Sequence, residues 1–300
     1  MNDTDRRTIV AWHGIAIESP AEWSLSSVSG DEKSGYYRVS SPGTTAIEVR
    51  WSEASEKVDL AAKLDSFLRD LDRKSRKRKL DFQSKTREKS GDLFFTWRAD
   101  RKAEGRLFRC AECNRAVIVQ VSGVPGDPVS AVASFVLPSV TDHIEGGWRR
   151  WAMYDLRTDV PGGYRLDKHK LMAGYLQLQF RRGANQLIVE RWGLANVALK
   201  NTTLAEWFGR RMRNDLTGFS YRIEELPEEP ETAIQALGRR SGILGVYRTI
   251  GDLSKFRVPA LRLDAYAWVC EESNKIYSVQ SMHTRRERIM DDVIDRVECH

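Results

Sequence analysis

The motif best suited to metal or redox chemistry is Cys110-Ala111-Glu112-Cys113, a Cys-x-x-Cys sequence. Two thiolates at this spacing on a turn fit tetrahedral zinc if two further ligands complete the site. The candidates for that second pair are Cys299 with His300, or Cys270. Two other interpretations stay open: an unligated pair of strand cysteines, or a redox motif, which would have to begin a helix. Zinc is the one cofactor that the sequence suggests, and otherwise none is expected.

A dense run of positive charge is the second candidate site, and it follows a predicted helix at residues 60–71. Its six cations are Arg73, Lys74, Arg76, Lys77, Arg78 and Lys79. A milder counterpart in the second half of the chain consists of Arg210, Arg211 and Arg213, near Trp207. Such clusters bind phosphates, and an adjacent tryptophan can stack on a base. The alternative is a solvated helix end, where cations interact favourably with the helix dipole.

Glu190 is a possible mark of a polar pocket in the second half of the chain. It lies in the predicted strand around Trp192, at the position that Val49 takes in the matching strand of the first half. An acid among core positions needs a hydrogen-bonding or charged partner. We therefore expect either a basic partner for Glu190 from another element or a polar pocket there.

Signatures of common enzyme classes are missing from the sequence. The five histidines do not show the H-E-x-x-H spacing of zinc proteases, and neither a G-x-S-x-G elbow nor a glycine-rich phosphate loop is present. We therefore predict that the protein is not an enzyme.

Composition indicates a folded chain with two cores. The 300 residues are 41% hydrophobic and carry a net charge of +6, which is too small to imply nucleic-acid binding by itself. The first residues are polar, no long apolar run is present, and four cysteines are too few for a disulfide-built fold. We expect a cytoplasmic protein without a membrane partner.

Matched landmarks indicate an internal duplication. The spacing from Pro20 to Trp51 equals that from Pro161 to Trp192, and both tryptophans follow an arginine. The segment CAECNRAVIVQ, from Cys110, also matches CEESNKIYSVQ, from Cys270. Each of these segments predicts a hairpin through an asparagine-containing turn.

The duplication predicts the fold class and the domain boundaries. Apolar residues recur at helical spacing in four segments, 60–71, 129–136, 203–216 and 285–297. Residues 138–147 have the composition of a linker. We predict two tandem homologous domains, 1–140 and 148–300, each an α+β fold with an antiparallel sheet and helices packed on its faces.

The order of these landmarks resembles the PsbP-like superfamily. The relevant features are a proline followed by an aromatic residue (Pro20, Trp23), a Gly-Tyr strand start (Gly35-Tyr36), and a closing helix with Ser134-Phe135. The resemblance implies an antiparallel sheet covered by helices, in proteins that dock on larger assemblies or on a small GTPase. It implies no functional residue, and a tandem pair departs from the usual single domain.

These observations favour a non-enzymatic cytoplasmic adaptor or scaffolding protein that binds a protein partner. The predicted contact surfaces are a groove between the two copies and the acidic segment 224–231, expected to be a surface loop. We expect a monomer with internal pseudo-symmetry. The alternatives are a nucleic-acid-associated protein using the cations of residues 73–79 and 210–213, or a zinc-binding protein using Cys110 and Cys113.

Overall fold

The computed structural model describes residues 6–212, 218–226, 232–240, 261–284 and 289–299, which form two compact units divided between Tyr154 and Asp155. Among the predicted sites, Arg213, His300 and residues 227–231 of the acidic segment lie outside the described residues.

The first unit is built on a seven-stranded antiparallel sheet in the order β3-β4-β5-β9-β8-β7-β6, beside a second sheet in which β1 pairs with β2 and β10. Its elements are β1 (Arg7–Trp12), β2 (Ile15–Pro20), β3 (Ser24–Gly30), β4 (Ser34–Ser40), β5 (Ala46–Glu53), α1 (Leu60–Lys77), β6 (Gln83–Lys89), β7 (Asp92–Arg98), β8 (Lys102–Arg109), β9 (Arg115–Gly123), α2 (Val129–Ser139), a 3-10 turn (Glu145–Gly147) and β10 (Trp148–Met153).

The second unit contains a seven-stranded antiparallel sheet in the order β12-β13-β14-β18-β17-β16-β15. Its described elements are β11 (Leu156–Pro161), β12 (Arg165–Met172), β13 (Tyr175–Arg182), β14 (Asn185–Gly193), α3 (Ala195–Ala198), α4 (Leu204–Met212), β15 (Phe219–Leu226), β16 (Ala233–Arg240), β17 (Arg262–Cys270), β18 (Lys275–His283) and α5 (Ile289–Ile294). The two seven-stranded sheets share one strand order. This supports the tandem duplication, which stays a prediction.

The predicted α+β class is wrong, because the described chain is mostly β, with three antiparallel sheets and few helices. Strands form in segments whose side chains do not alternate between apolar and polar. All seven residues of β6 are exposed, and its strand conformation rests on backbone pairing with β7. Part of the acidic segment expected to be a loop, Glu224 to Leu226, likewise belongs to β15.

The helix α1 has clear local causes. The Asp59 side chain accepts a hydrogen bond from the Ala62 N–H at 2.9 Å and so caps the first turn. Leu64 and Leu68, one turn apart, are buried in the core cluster that also contains Leu107 of β8. The helix continues past residue 71 to Lys77, so most of the basic run is helical rather than a loop.

The other predicted helices are present with different bounds. Residues 129–136 form the start of α2, which ends at Ser139 inside the predicted linker. The described parts of 203–216 and 285–297 contain α4, which begins at Leu204, and α5, which ends at Ile294, before the predicted end at residue 297. The two predicted hairpins are confirmed as β8–β9 and β17–β18, with Asn114 and Asn274 in the left-handed region at φ 58° and 51°.

Candidate metal centre

The turn between β8 and β9 holds both cysteines of the Cys-x-x-Cys motif. The Cys110 N–H donates to the Arg115 carbonyl at 2.8 Å, and the Asn114 N–H donates to the Cys110 carbonyl at 3.0 Å. Asparagine tolerates the positive φ that closes this turn. Both thiols are free and half-buried, and the motif joins two strands, so it does not begin a helix as a redox motif would.

A second segment, just after α2, brings Asp142 and His143 to the same place. Thr141 fixes this segment to β2 through two backbone hydrogen bonds with Ala16, at 2.8 and 3.0 Å. The Asp142 side chain is only 2% exposed, and the Nε2 atom of His143 is buried without a hydrogen-bond partner among the described residues. The segment therefore presents a buried carboxylate and a buried imidazole nitrogen to the two thiols.

The four side chains form one cluster of ligand atoms. The two thiol sulfurs of Cys110 and Cys113, a carboxylate oxygen of Asp142 and a ring nitrogen of His143 all lie within 4.8 Å of one another. In tetrahedral zinc sites the bond lengths place ligand atoms roughly 3.3–3.8 Å apart. Small side-chain rotations would thus bring these four atoms to coordination distance.

Arg115 holds the carboxylate of the cluster in place. Its guanidinium donates to both oxygens of Asp142, with the Nε to Oδ2 distance at 3.2 Å. It also donates to the carbonyls of His13 and Glu32, at 3.1 and 3.3 Å. Because this ion pair is almost fully buried, the orientation of Asp142 is fixed by the surrounding turns.

The protonation tendencies of the cluster differ from residue to residue. Burial raises the pKa of Cys110 to about 11. Burial also raises the pKa of Cys113, but the neighbouring His143 side chain and the Arg115 N–H outweigh it, so the net pKa is lowered. The interaction with Cys113 raises the pKa of His143. The lowered pKa of Cys113 makes its thiolate easier to form than that of Cys110.

Sequence reasoning identified two of these four residues. It assigned Asp142 and His143 to the linker and proposed Cys299 with His300, or Cys270, to complete the site. The described cluster is completed instead within the first unit. One signal was readable in the sequence, because His143 is the histidine closest in sequence to Cys113.

The cations of the run from Arg73 to Lys79 are partly neutralised. Its three arginines form ion pairs with Asp70, Asp72 and Asp100, at 2.8, 2.8 and 2.6 Å. Three lysines remain without an ion pair among the described residues, Lys74, Lys77 and Lys79. The ion pairs of the three arginines therefore agree with the alternative prediction, a solvated helix end.

In the second predicted cluster, the two cations that the structure describes, Arg210 and Arg211, have different surroundings. Arg210 is exposed, whereas the Arg211 guanidinium lies 4.4 Å from the centre of the Trp192 ring. Trp207 packs against the core of the second unit and contacts Trp192 edge to face, at 5.4 Å between ring centres. A role for Trp207 in stacking on bases therefore has no support in this geometry.

Glu190 is 1% exposed and accepts four hydrogen bonds. The donors are the Tyr175 hydroxyl, Gln177 Nε2 (2.9 Å), Ser278 Oγ (3.0 Å) and Gln280 Nε2 (2.8 Å). Burial raises the pKa of Glu190 despite these bonds. Each Glu190 carboxylate oxygen accepts two hydrogen bonds, so the protein itself fills the acceptor capacity of the carboxylate. The arrangement is a polar network and leaves Glu190 no acceptor site for a ligand.

Comparisons with known proteins identify no family: no family model matches the chain, and no curated protein matches it. Among solved structures, the immunity protein TplEi of the T6SS from Pseudomonas aeruginosa is similar in its apo form, with 9% identity, a TM-score of 0.36, and coverage of 99% of this chain and 98% of that one. Its complex with "L" peptide gives 11% identity, a TM-score of 0.34 and 99% coverage of both chains. Likeness at this level does not establish a common fold.

The remaining predictions from the sequence are not tested by these comparisons. The PsbP-like resemblance and the absence of enzymatic activity stay predictions, and so do the adaptor role and the cytoplasmic location. No helix in the described parts of the chain is long and apolar enough to cross a membrane.

Proposed function

We propose that the first unit binds one zinc ion through Cys110, Cys113, Asp142 and His143. The observation that carries this proposal is the convergence of four ligand atoms within 4.8 Å from two segments separated by β9 and α2. Soft thiolates with an imidazole are the ligands that select zinc among the common divalent ions. The ion joins the β8–β9 turn to the segment after α2.

The charge of the cluster also suits a divalent cation. Two thiolates and the Asp142 carboxylate carry three negative charges, and zinc with Arg115 carries three positive ones. A buried site with no net charge avoids most of the cost of burying unpaired ions. Without a metal, the Cys113 thiol donates a hydrogen bond to Asp142 Oδ2 at 3.1 Å, and zinc would replace that proton.

The role proposed for zinc is structural. Four protein ligands close the coordination sphere, whereas catalytic zinc sites keep one position open for water or substrate. Arg115 orients Asp142 by donating hydrogen bonds to its carboxylate, as groups behind metal ligands commonly do. A redox role is less well supported, because the Cys-x-x-Cys motif joins two strands and does not begin a helix.

Elemental analysis of protein purified under reducing conditions tests this proposal. We expect about one zinc per chain in the wild type, and a value near zero for Cys113→Ser and for His143→Gln. Cys299→Ser is the matched control, because Cys299 belongs to the alternative ligand set. Loss of zinc in Cys299→Ser with retention in His143→Gln would contradict the proposed ligands, and a metal-free wild type that takes up no added zinc would contradict the site itself.

A further inference from the structure

The strand β6 is an open edge of the first seven-stranded sheet. It is the last strand in the sheet order and pairs with β7 on one side. All seven of its residues, Gln83–Lys89, are exposed. An edge strand of this kind presents a row of backbone N–H and C=O groups that can pair with another extended chain.

The exposed edge is positively charged on one face. Lys85, Arg87 and Lys89 alternate along β6 and therefore point to the same side of the sheet. None of the three has an ion pair in the described part of the chain. The Arg87 guanidinium lies 5.4 Å from the centre of the Phe94 ring, which holds it along this face.

A cavity of about 290 Å³ lies beside the same edge. Its charged lining residues are Lys85, Arg98, Lys102 and Glu104. The Glu104 carboxylate accepts a hydrogen bond from the Ser130 hydroxyl, so its charge is partly satisfied by α2. The cavity therefore carries a net positive charge and fits an acidic side chain.

The pattern of charge selects the kind of chain that can pair here. Lysine on an edge strand discourages pairing with a like edge, so two copies of β6 would place equal charges opposite each other. An acidic strand would instead place opposite charges there. Side chains on one face of a strand recur about every 7 Å, so carboxylates at alternate residues match the three β6 cations in register.

We propose that β6 accepts an extended acidic segment of a partner protein as an eighth strand of the sheet, with alternate carboxylates facing Lys85, Arg87 and Lys89. Backbone pairing supplies affinity, as in other cases of strand addition, and the cations select for acidity. One carboxylate of the segment enters the cavity near Lys102. This surface goes beyond the zinc proposal and is independent of it, since Cys110 and His143 do not line the cavity.

Fluorescence anisotropy with a labelled peptide of alternating glutamate and threonine tests the charge requirement. We expect the peptide to bind the full-length wild type and to lose at least about tenfold in affinity for the double variant Lys85→Glu/Lys89→Glu, since two ion pairs become repulsive. Lys74→Glu/Lys77→Glu is the matched control, with the same charge change on exposed α1 residues, and it should bind like the wild type. No binding to the wild type, or equal loss in both double variants, would overturn the proposal.

Backbone N-methylation of the same peptide tests strand addition. An added strand uses the N–H groups of alternate residues, so methylating one alternate set should abolish binding, and methylating the other should preserve it. Equal binding of both methylated peptides would show charge attraction without strand pairing and would overturn the proposal. Tighter binding of an oligouridylate of equal charge than of the peptide would also overturn the proposal. Zinc content, measured in parallel, reports separately on the metal proposal.

Discussion

The β8–β9 turn of the first unit and the β17–β18 turn of the second both contain a positive-φ asparagine but differ in chemistry. In both, an asparagine with positive φ closes the turn, and its carbonyl accepts a hydrogen bond, from Ala54 to Asn114 and from Ala195 to Asn274. The first turn carries Cys110 and Cys113, whereas the second carries Cys270 and Ser273. The fold of this turn therefore does not require the second thiol, which leaves metal binding as a reason for its presence.

The residue that follows the asparagine also differs between the two units. Arg115 in the first unit forms a buried ion pair with Asp142. Lys275 in the second pairs with Asp155, whose side chain is 68% exposed. Chemistry that depends on a buried, oriented carboxylate is therefore available at the first turn and not at the second.

Removal of zinc should give the largest difference in stability between the two turns. At a zinc concentration about 1,000 times the dissociation constant, the ion stabilises the unit that binds it by about 4 kcal/mol. Hydrogen exchange measured before and after chelation should show β8 and β9 losing protection, with β17 and β18 unchanged. Equal loss of protection in both hairpins, or none in either, would break the comparison.

Substitution of the two basic residues should give the next largest difference. We expect Arg115→Met to destabilise the first unit by about 3 kcal/mol, because it leaves the Asp142 carboxylate buried without its partner. Lys275→Met should cost less than about 1 kcal/mol in the second unit, because its partner is exposed. Urea unfolding of zinc-free protein, followed by hydrogen exchange in β9 and β18, measures both. Similar costs at the two positions would contradict this account.

Two carboxylates on the sheets, the half-buried Glu48 and the buried Glu190, offer a smaller contrast. Glu48 pairs with Arg38 at 3.1 Å, whereas the four hydrogen-bond donors to Glu190 are uncharged. Because burial raises the pKa of Glu190, its contribution to stability is present at low pH and is lost as pH rises through the folded-state pKa. Glu190→Gln should therefore gain stability relative to the wild type as pH rises. Gln280 Oε1, which is buried and has no hydrogen-bond partner in the described part of the chain, can accept from the new amide.

Thermal unfolding from about pH 4, below the ordinary glutamate pKa of 4.5, up to about pH 9 measures this effect, with Glu48→Gln as the comparison. Glu48→Gln should lower stability at neutral pH by up to about 1 kcal/mol, because it removes an ion pair that is partly exposed. If the difference between Glu190→Gln and the wild type did not change with pH, the assigned direction of the Glu190 pKa would be wrong.

The sequence predicted elements whose causes are local. Asn114 and Asn274 mark their hairpins because few other residues accept a positive φ. Leu64 and Leu68 predict α1 by their spacing. The edge strand β6 could not be predicted in this way, because its side chains are all exposed and backbone pairing with β7 determines its conformation.

Two of the four residues of the metal site could be predicted from the sequence. Cys110 and Cys113 are close in sequence, so their Cys-x-x-Cys spacing alone indicates a possible zinc site. Asp142 and His143 reach them because α2 returns the chain to β2, where Thr141 pairs with Ala16. A contact of this kind depends on tertiary packing, and its residues had the composition of a linker.

X-ray absorption at the zinc edge of the purified protein tests the central claim most directly. We expect two sulfur ligands per zinc at about 2.3 Å and two nitrogen or oxygen ligands at about 2.0–2.1 Å. His143→Gln, which should lose the metal, is expected to give no zinc edge above background. A zinc ion bound by nitrogen and oxygen alone, or by four sulfurs, would contradict the site formed by Cys110, Cys113, Asp142 and His143.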